Sequence, residues 1–143
     1  MILVDVNLLL YAVNKDLPGH NRARMWFEQT LSGTERVGLP WVVLLAFLRI
    51  TTNKRVFENP LPIESAVAYI DEWLQQPVVN IIGPGQGHWN ILRNLLFVHG
   101  TGGNLTTDVH IAALAIEYGA QIYSADNDFK RFSGIRHVNP IVS

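Results

Sequence analysis

Four aspartates, with Asn7 and Ser124 beside them, fall in three short stretches of this chain. The stretches are Val4-Asp5-Val6-Asn7, Thr106-Thr107-Asp108 and Ser124-Ala125-Asp126-Asn127-Asp128-Phe129. Each lies where an apolar, strand-like run meets a helix-like run, the kind of boundary that an α/β fold gathers along one rim of a sheet. Carboxylates about 5 Å apart repel by roughly 3 kcal/mol per pair at an effective dielectric of 20. A convergent set therefore calls for a divalent cation or for raised pKa values. Hard oxygen donors without thiolates favour Mg²⁺ or Mn²⁺ over zinc. The chemistry that suits such a site is phosphoryl transfer, with a metal-activated water attacking a phosphodiester.

Taken singly, each acid has a second explanation. Asp5 is flanked by Val4 and Val6, and a charge in so apolar a run is costly unless it is paired or metal-bound; it would also serve as the cap of the helix that follows. Asn7 fits the same rim as a neutral oxygen ligand or as the helix cap itself, and Ser124 is a further supporting polar group. Asp108 stands in the first turn of a predicted helix, where the helix dipole alone favours an anion. Asp126 and Asp128 form a D-x-D turn, which occurs for purely local reasons, and the spacing does not fit a calcium EF-hand loop. Only the set points to metal.

The elements that would position these residues alternate strand and helix. Met1 to Val6 reads as a buried strand, and Asn7 opens a helix to about Ala12. Helices are predicted over His20–Leu31 (apolar face Ala23, Phe27, Leu31), Trp41–Thr51, Ile63–Gln75 (Val67, Ile70, Leu74), His88–Val98 and Thr107–Tyr118 (Ile111, Leu114, Ala115, Tyr118). Short strands are predicted at Arg36–Leu39, Val78–Ile82, Gln121–Ser124 and Arg136–Asn139, with a helical turn at Asn127–Phe132. The glycine-rich run Gly100-Thr101-Gly102-Gly103-Asn104 reads as a loop. Repeated βα units with short connections predict an α/β fold with a mostly parallel central sheet flanked by helices. No linker divides the chain, so a single domain over 1–143 is expected.

The 143 residues are 48% hydrophobic and 16% charged, far from the composition of a disordered chain. There is no cysteine, so disulfides and thiolate metal sites are excluded. The start of the chain has no basic region or cleavage signal, and its longest apolar run, Trp41 to Leu48, is too short to span a bilayer; a cytoplasmic protein with no membrane partner is expected. A formal net charge of −1 gives no global field for polyanions. Nucleic acid would have to be held by local basic groups. Arg49, Lys54 and Arg55 near the end of the Trp41 helix, and Lys130 with Arg131 after the D-x-D turn, are the candidates for phosphate contacts. Arg49 closes an otherwise apolar helix and is assigned to substrate binding, whereas Lys54 and Lys130 are read rather as ordinary solvated surface. His110, two residues after Asp108, would point away from it and is read as packing. His88 and His99 bracket a helix without companion ligands in the sequence.

Four blocks, in this order, resemble a PIN-domain ribonuclease of the VapC toxin type: Asp5-Val6-Asn7; Phe47-Leu48-Arg49-Ile50; Thr107-Asp108-Val109-His110-Ile111-Ala112-Ala113-Leu114-Ala115; and Ser124-Ala125-Asp126-Asn127-Asp128-Phe129. The resemblance spans essentially the whole chain. It implies a PIN-like three-layer fold and an endoribonuclease using Mg²⁺ or Mn²⁺. The catalytic acids would be Asp5, Asp108 and Asp126, with Asp128 as a further metal ligand, acting on structured cellular RNA and leaving 5′-phosphate and 3′-hydroxyl ends. It also implies inhibition by a cognate VapB-type antitoxin, whose amphipathic segment would cover apolar surface around the Trp41 helix, Val56 and Phe57, and a homodimer. One departure stands out. Many PIN domains carry a Glu shortly before the position of Arg49, and here Ala46 occupies it. That departure supports an alternative, a catalytically weakened PIN-like domain that binds RNA or protein. An aspartyl phosphatase or phospho-acceptor receiver fits poorly, since Asn7 replaces a required acid and no lysine is suitably placed.

Overall fold

The computed structural model describes residues 1–100 and 102–142. Thr101, within the predicted glycine-rich loop, lies outside the described residues, as does Ser143. Five strands, β1 (Ile2–Val4), β2 (Val37–Pro40), β3 (Val79–Ile82), β4 (Gln121–Tyr123) and β5 (His137–Val138), form one sheet in the order β3-β2-β1-β4-β5. Every pairing is parallel, with Leu3 of β1 opposite Gly38 of β2 on one side and Ile122 of β4 on the other. Burial on both faces explains the unbroken apolar runs of the central strands: Leu3, Val4, Val37, Leu39 and Ile122 have no exposed surface. Gly38 is needed for its size, because a Cβ there would meet Ile82 Cδ1 at 3.0 Å and the Met1 sulfur at 3.2 Å.

The helices are α1 (Val6–Val13), α2 (His20–Leu31), α3 (Trp41–Thr51), α4 (Ile63–Leu74), α5 (His88–His99) and α6 (Thr106–Tyr118). Their predicted apolar faces are largely the buried ones: Ala23 and Phe27 on α2, and Ile111, Leu114 and Ala115 on α6, all reach the core. Two positions differ. On α4 the buried residues are Ala66 and Trp73, while Val67 is exposed; Trp73 turns the helix toward Phe27 and Phe47, whose rings it meets edge-on at 5.4 and 5.0 Å. Tyr118 is exposed, with its hydroxyl donating to the Gly83 carbonyl at 2.8 Å. Gly119, with φ of +61°, ends α6 and turns the chain directly into β4.

Element boundaries shift most where chemistry is expected. β1 stops at Val4 and α1 begins at Val6, so Asp5 itself is the N-cap, with extended backbone and a side chain accepting from the Val6 amide at 2.8 Å. Asn7 is therefore not the cap but sits inside the first turn. The Asn127–Phe132 turn is a 3₁₀ helix over Asn127–Arg131, capped by Asp126, and a second 3₁₀ turn at Gly103–Leu105 leads into α6. The strand order places the chemistry. From β1 the chain builds outward through β2 and β3 on one side and through β4 and β5 on the other. The reversal lies between β1 and β4, and a crevice opens outside the carboxyl ends of such strands.

Candidate active site

Asp5 follows β1 and Asp126 follows β4, so the two acids leave the sheet side by side at this reversal. Asp108 arrives from the first turn of α6. Asp5, Asp108 and Asp126, together with Asn7, Ala46 and Arg49, line one open pocket of about 310 Å³. Asp108, Asp126 and Asp128 each offer a carboxylate oxygen, and these lie within 4.8 Å of one another. Asp5 stands outside that triplet, as the innermost and most fully hydrogen-bonded of the four.

Asp5 is buried, and each of its oxygens is engaged. One accepts from the Val6 amide; the other accepts from Ser124 Oγ at 2.8 Å and Asn7 Nδ2 at 3.3 Å. Ser124, with no exposed surface, is the hub of this network: its hydroxyl donates to Asp5 and accepts from Asn7 Nδ2 at 3.1 Å and the Asp126 amide at 2.9 Å. Asn7 Oδ1 accepts from the Ala125 amide at 3.1 Å. That contact makes Asn7 a brace between the Asp5 turn and the β4 turn. His137 Nε2 donates to the Ser124 carbonyl, 2.9 Å away, adding a contact from β5. Asp126 caps its own turn by accepting from the Asp128 amide at 2.9 Å.

The electrostatics follow from the crowding. Burial, and next to it the charges of Asp5, Asp126 and Asp128, push the Asp108 carboxyl up to about 6, with Arg131 opposing. Burial also raises Asp5, aided by the charge of Asp126 and resisted by the Ser124 and Val6 hydrogen bonds. Among the described residues the cation paired with this set is Arg131, whose Nη2 lies 3.6 Å from Asp128 Oδ1. A carboxylate set of this kind, hard oxygens at coordinating separations with repulsion only partly offset by one loose guanidinium, fits a hard divalent cation. Ala46 lines the same pocket, so the position where an acid was expected does face the site and contributes a methyl group instead.

Sequence reasoning missed a second titratable cluster. His88 Nδ1 pairs with Glu117 Oε2 at 2.7 Å, and its Nε2 meets His110 Nδ1 at 2.9 Å. Glu117 Oε1 accepts from the Gly85 amide at 3.1 Å. His110 does point into packing as expected, but His88 has companions after all, brought from 22 and 29 residues away by the pairing of α5 with α6. No local spacing signals it.

The PIN domain profile matches residues 2–135. This chain belongs to the PIN-domain family, in its VapC branch. It is 47% identical over 141 residues to the Mycobacterium tuberculosis protein named Ribonuclease VapC33, covering 99% of each chain, and 45% identical to Ribonuclease VapC37 of the same species, covering 98% and 97%. Among solved structures, the fold is that of M. tuberculosis VapC20, described as a sarcin-ricin loop cleaving toxin (TM-score 0.72, 20% identity, 98% and 100% covered). It is equally that of VapBC2 from Rickettsia felis bound to a promoter DNA fragment (TM-score 0.71, 20% identity, 97% and 98% covered).

Proposed function

We propose that this PIN-domain protein is a metal-dependent endoribonuclease toxin that cuts structured cellular RNA and is held inactive by a VapB-type antitoxin. The observation that carries this reading is the carboxylate set at the β1–β4 reversal, four acids facing a single loosely held guanidinium. Kinship with proteins named ribonucleases supplies the substrate class. In this reading Asp108, Asp126 and Asp128 hold Mg²⁺ or Mn²⁺, and Asp5 completes the acidic wall. Such a cation lowers the pKa of a bound water and neutralises the phosphate under attack. Ser124 and Asn7 fix the Asp5 carboxylate, so little reorganisation is needed when substrate arrives. Arg49, on the α3 wall, binds a phosphate beside the cut.

The resemblance puts the antitoxin segment on the apolar surface around α3, Val56 and Phe57. Of these, Phe57 borders a concavity of about 690 Å³ between α1, α2 and α4, lined also by Leu61, Lys15 and Glu72, and the segment is assigned there. That lining suits an amphipathic helix. A homodimer through α3 is supported by Trp41 and Leu45, which are 56% and 58% exposed. No helix among the described residues is long and apolar enough to cross a membrane, and the cytoplasm, where RNA substrate and antitoxin meet, is the expected compartment.

The test is cleavage of total cellular RNA by purified, antitoxin-free protein with Mn²⁺, beside EDTA, Asp5→Ala and Asp108→Asn controls, with ends mapped by sequencing. Discrete cuts lost in all three controls are expected. Folded protein that binds RNA but never cuts would instead favour a binding module without catalysis, the reading that Ala46 supports.

A further inference from the structure

We propose that Arg131 is a resident counter-ion of the acidic pocket, one that moves from Asp128 to an RNA phosphate when the divalent cation enters. The inference rests on the metal-dependent reading above and adds a residue to it. Arg131 ends the 3₁₀ turn that Asp126 caps, three residues after Asp128. Its guanidinium sits 3.6 Å from Asp128 Oδ1, too far for a firm hydrogen bond, and both side chains are about half exposed, at 41% and 51%. The pair is loose, and the long side chain is free to swing.

Asp128 is also one of the three acids whose oxygens converge within 4.8 Å. The same carboxylate cannot face a guanidinium and a divalent cation at once without setting two positive charges side by side. Among the described residues no other lysine or arginine pairs with the four site carboxylates. Arg131 therefore relieves the repulsion in the metal-free pocket, an effect that extends to Asp108, whose upward shift it opposes. Once displaced, its planar fork matches a phosphate, the anion RNA brings to this rim. Arg49 lines the pocket from α3 and Arg131 approaches from the turn after β4, so the two hold the strand from different elements.

The test compares the intact protein with Arg131→Gln and Arg131→Lys by calorimetric titration with Mn²⁺ alone and by kcat/KM on a short RNA at several salt concentrations. Arg131→Gln is expected to bind Mn²⁺ about threefold more tightly, because a competing cation is gone. Its kcat/KM is expected to fall about tenfold, and the slope of log kcat/KM against log salt to become shallower by about 0.7. Arg131→Lys keeps wild-type Mn²⁺ affinity and recovers the slope but only part of kcat/KM. Wild type that binds Mn²⁺ and cuts RNA, with Arg131→Gln matching it in both or losing both, overturns this inference alone. Wild type that neither binds Mn²⁺ nor cuts RNA overturns the underlying reading as well.

Discussion

Helix α6 carries two carboxylates near its two ends, and the fold treats them in opposite ways. Glu117, near the C-terminal end, has both oxygens satisfied: one by the Gly85 amide, the other by His88, which in turn contacts His110. Asp108, in the first turn, faces Asp5, Asp126 and Asp128, and its carboxyl is raised to about 6. A partly buried carboxylate with partners holds elements together; here it ties the loop after β3 and the start of α5 to α6. A carboxylate set among like charges stores repulsion that nothing in the core requires. That contrast separates scaffold from site. It also explains why His110, two residues from Asp108, belongs to the first group: a step of two along a helix turns the side chain to the far face, and there burial and the neighbouring His88 lower its pKa.

Exchanging the properties of the two ends tests the contrast. The largest effect is expected from Asp108→Asn, which should reduce RNA cleavage by about 10²- to 10³-fold while stabilising the metal-free protein at neutral pH, read by cleavage assays and thermal melting. Glu117→Gln should do the reverse, lowering stability by about 1 kcal/mol through the weakened His88 contact, with cleavage per folded molecule nearly unchanged; chemical denaturation and active-fraction titration measure this. Ser124→Ala is expected to be milder and pH-selective. The Ser124 hydroxyl lowers the Asp5 pKa against burial, so its loss should shift the acid limb of the kcat/KM profile upward and slow cleavage more at pH 6 than at pH 8. The smallest change is expected from Ala46→Glu. A further acid in the pocket should lower metal-free stability by about 1 kcal/mol and tighten Mn²⁺ binding, seen by melting and calorimetry.

Much of this contrast was legible in the sequence on one side only. Asp5, Asp108, Asp126 and Asp128 announce themselves by standing at strand ends and a helix start, positions that periodicity locates. The α/β alternation, the helices over His20–Leu31 and Trp41–Thr51, and the parallel sheet followed from the same patterns. The role of Asn7 was not legible, because cap, ligand and brace all require a polar residue at that spot; Asp5 takes the cap, and the Ala125 amide engages the Asn7 oxygen as a brace. Val67 was misplaced because α4 follows its largest side chain, Trp73, rather than its aliphatic spacing. The Glu117–His88–His110 chain left no trace, since it depends on how α5 packs against α6.

Asp108 sits in a field of like charge that a divalent cation would relieve. Its carboxyl, at about 6 in the folded protein, lies above the ordinary value of about 3.9 expected unfolded. The folded state therefore binds more protons between those values, and stability should fall as pH rises through that window. Melting temperature measured from pH 4.5 to 7.5, with and without Mn²⁺, for wild type and Asp108→Asn, tests this directly. Metal-free wild type should lose stability toward neutral pH relative to Asp108→Asn, and Mn²⁺ should restore it, more at pH 7.5 than at pH 5. Parallel pH curves for the two proteins, with no Mn²⁺ shift in wild type at pH 7.5, would contradict this.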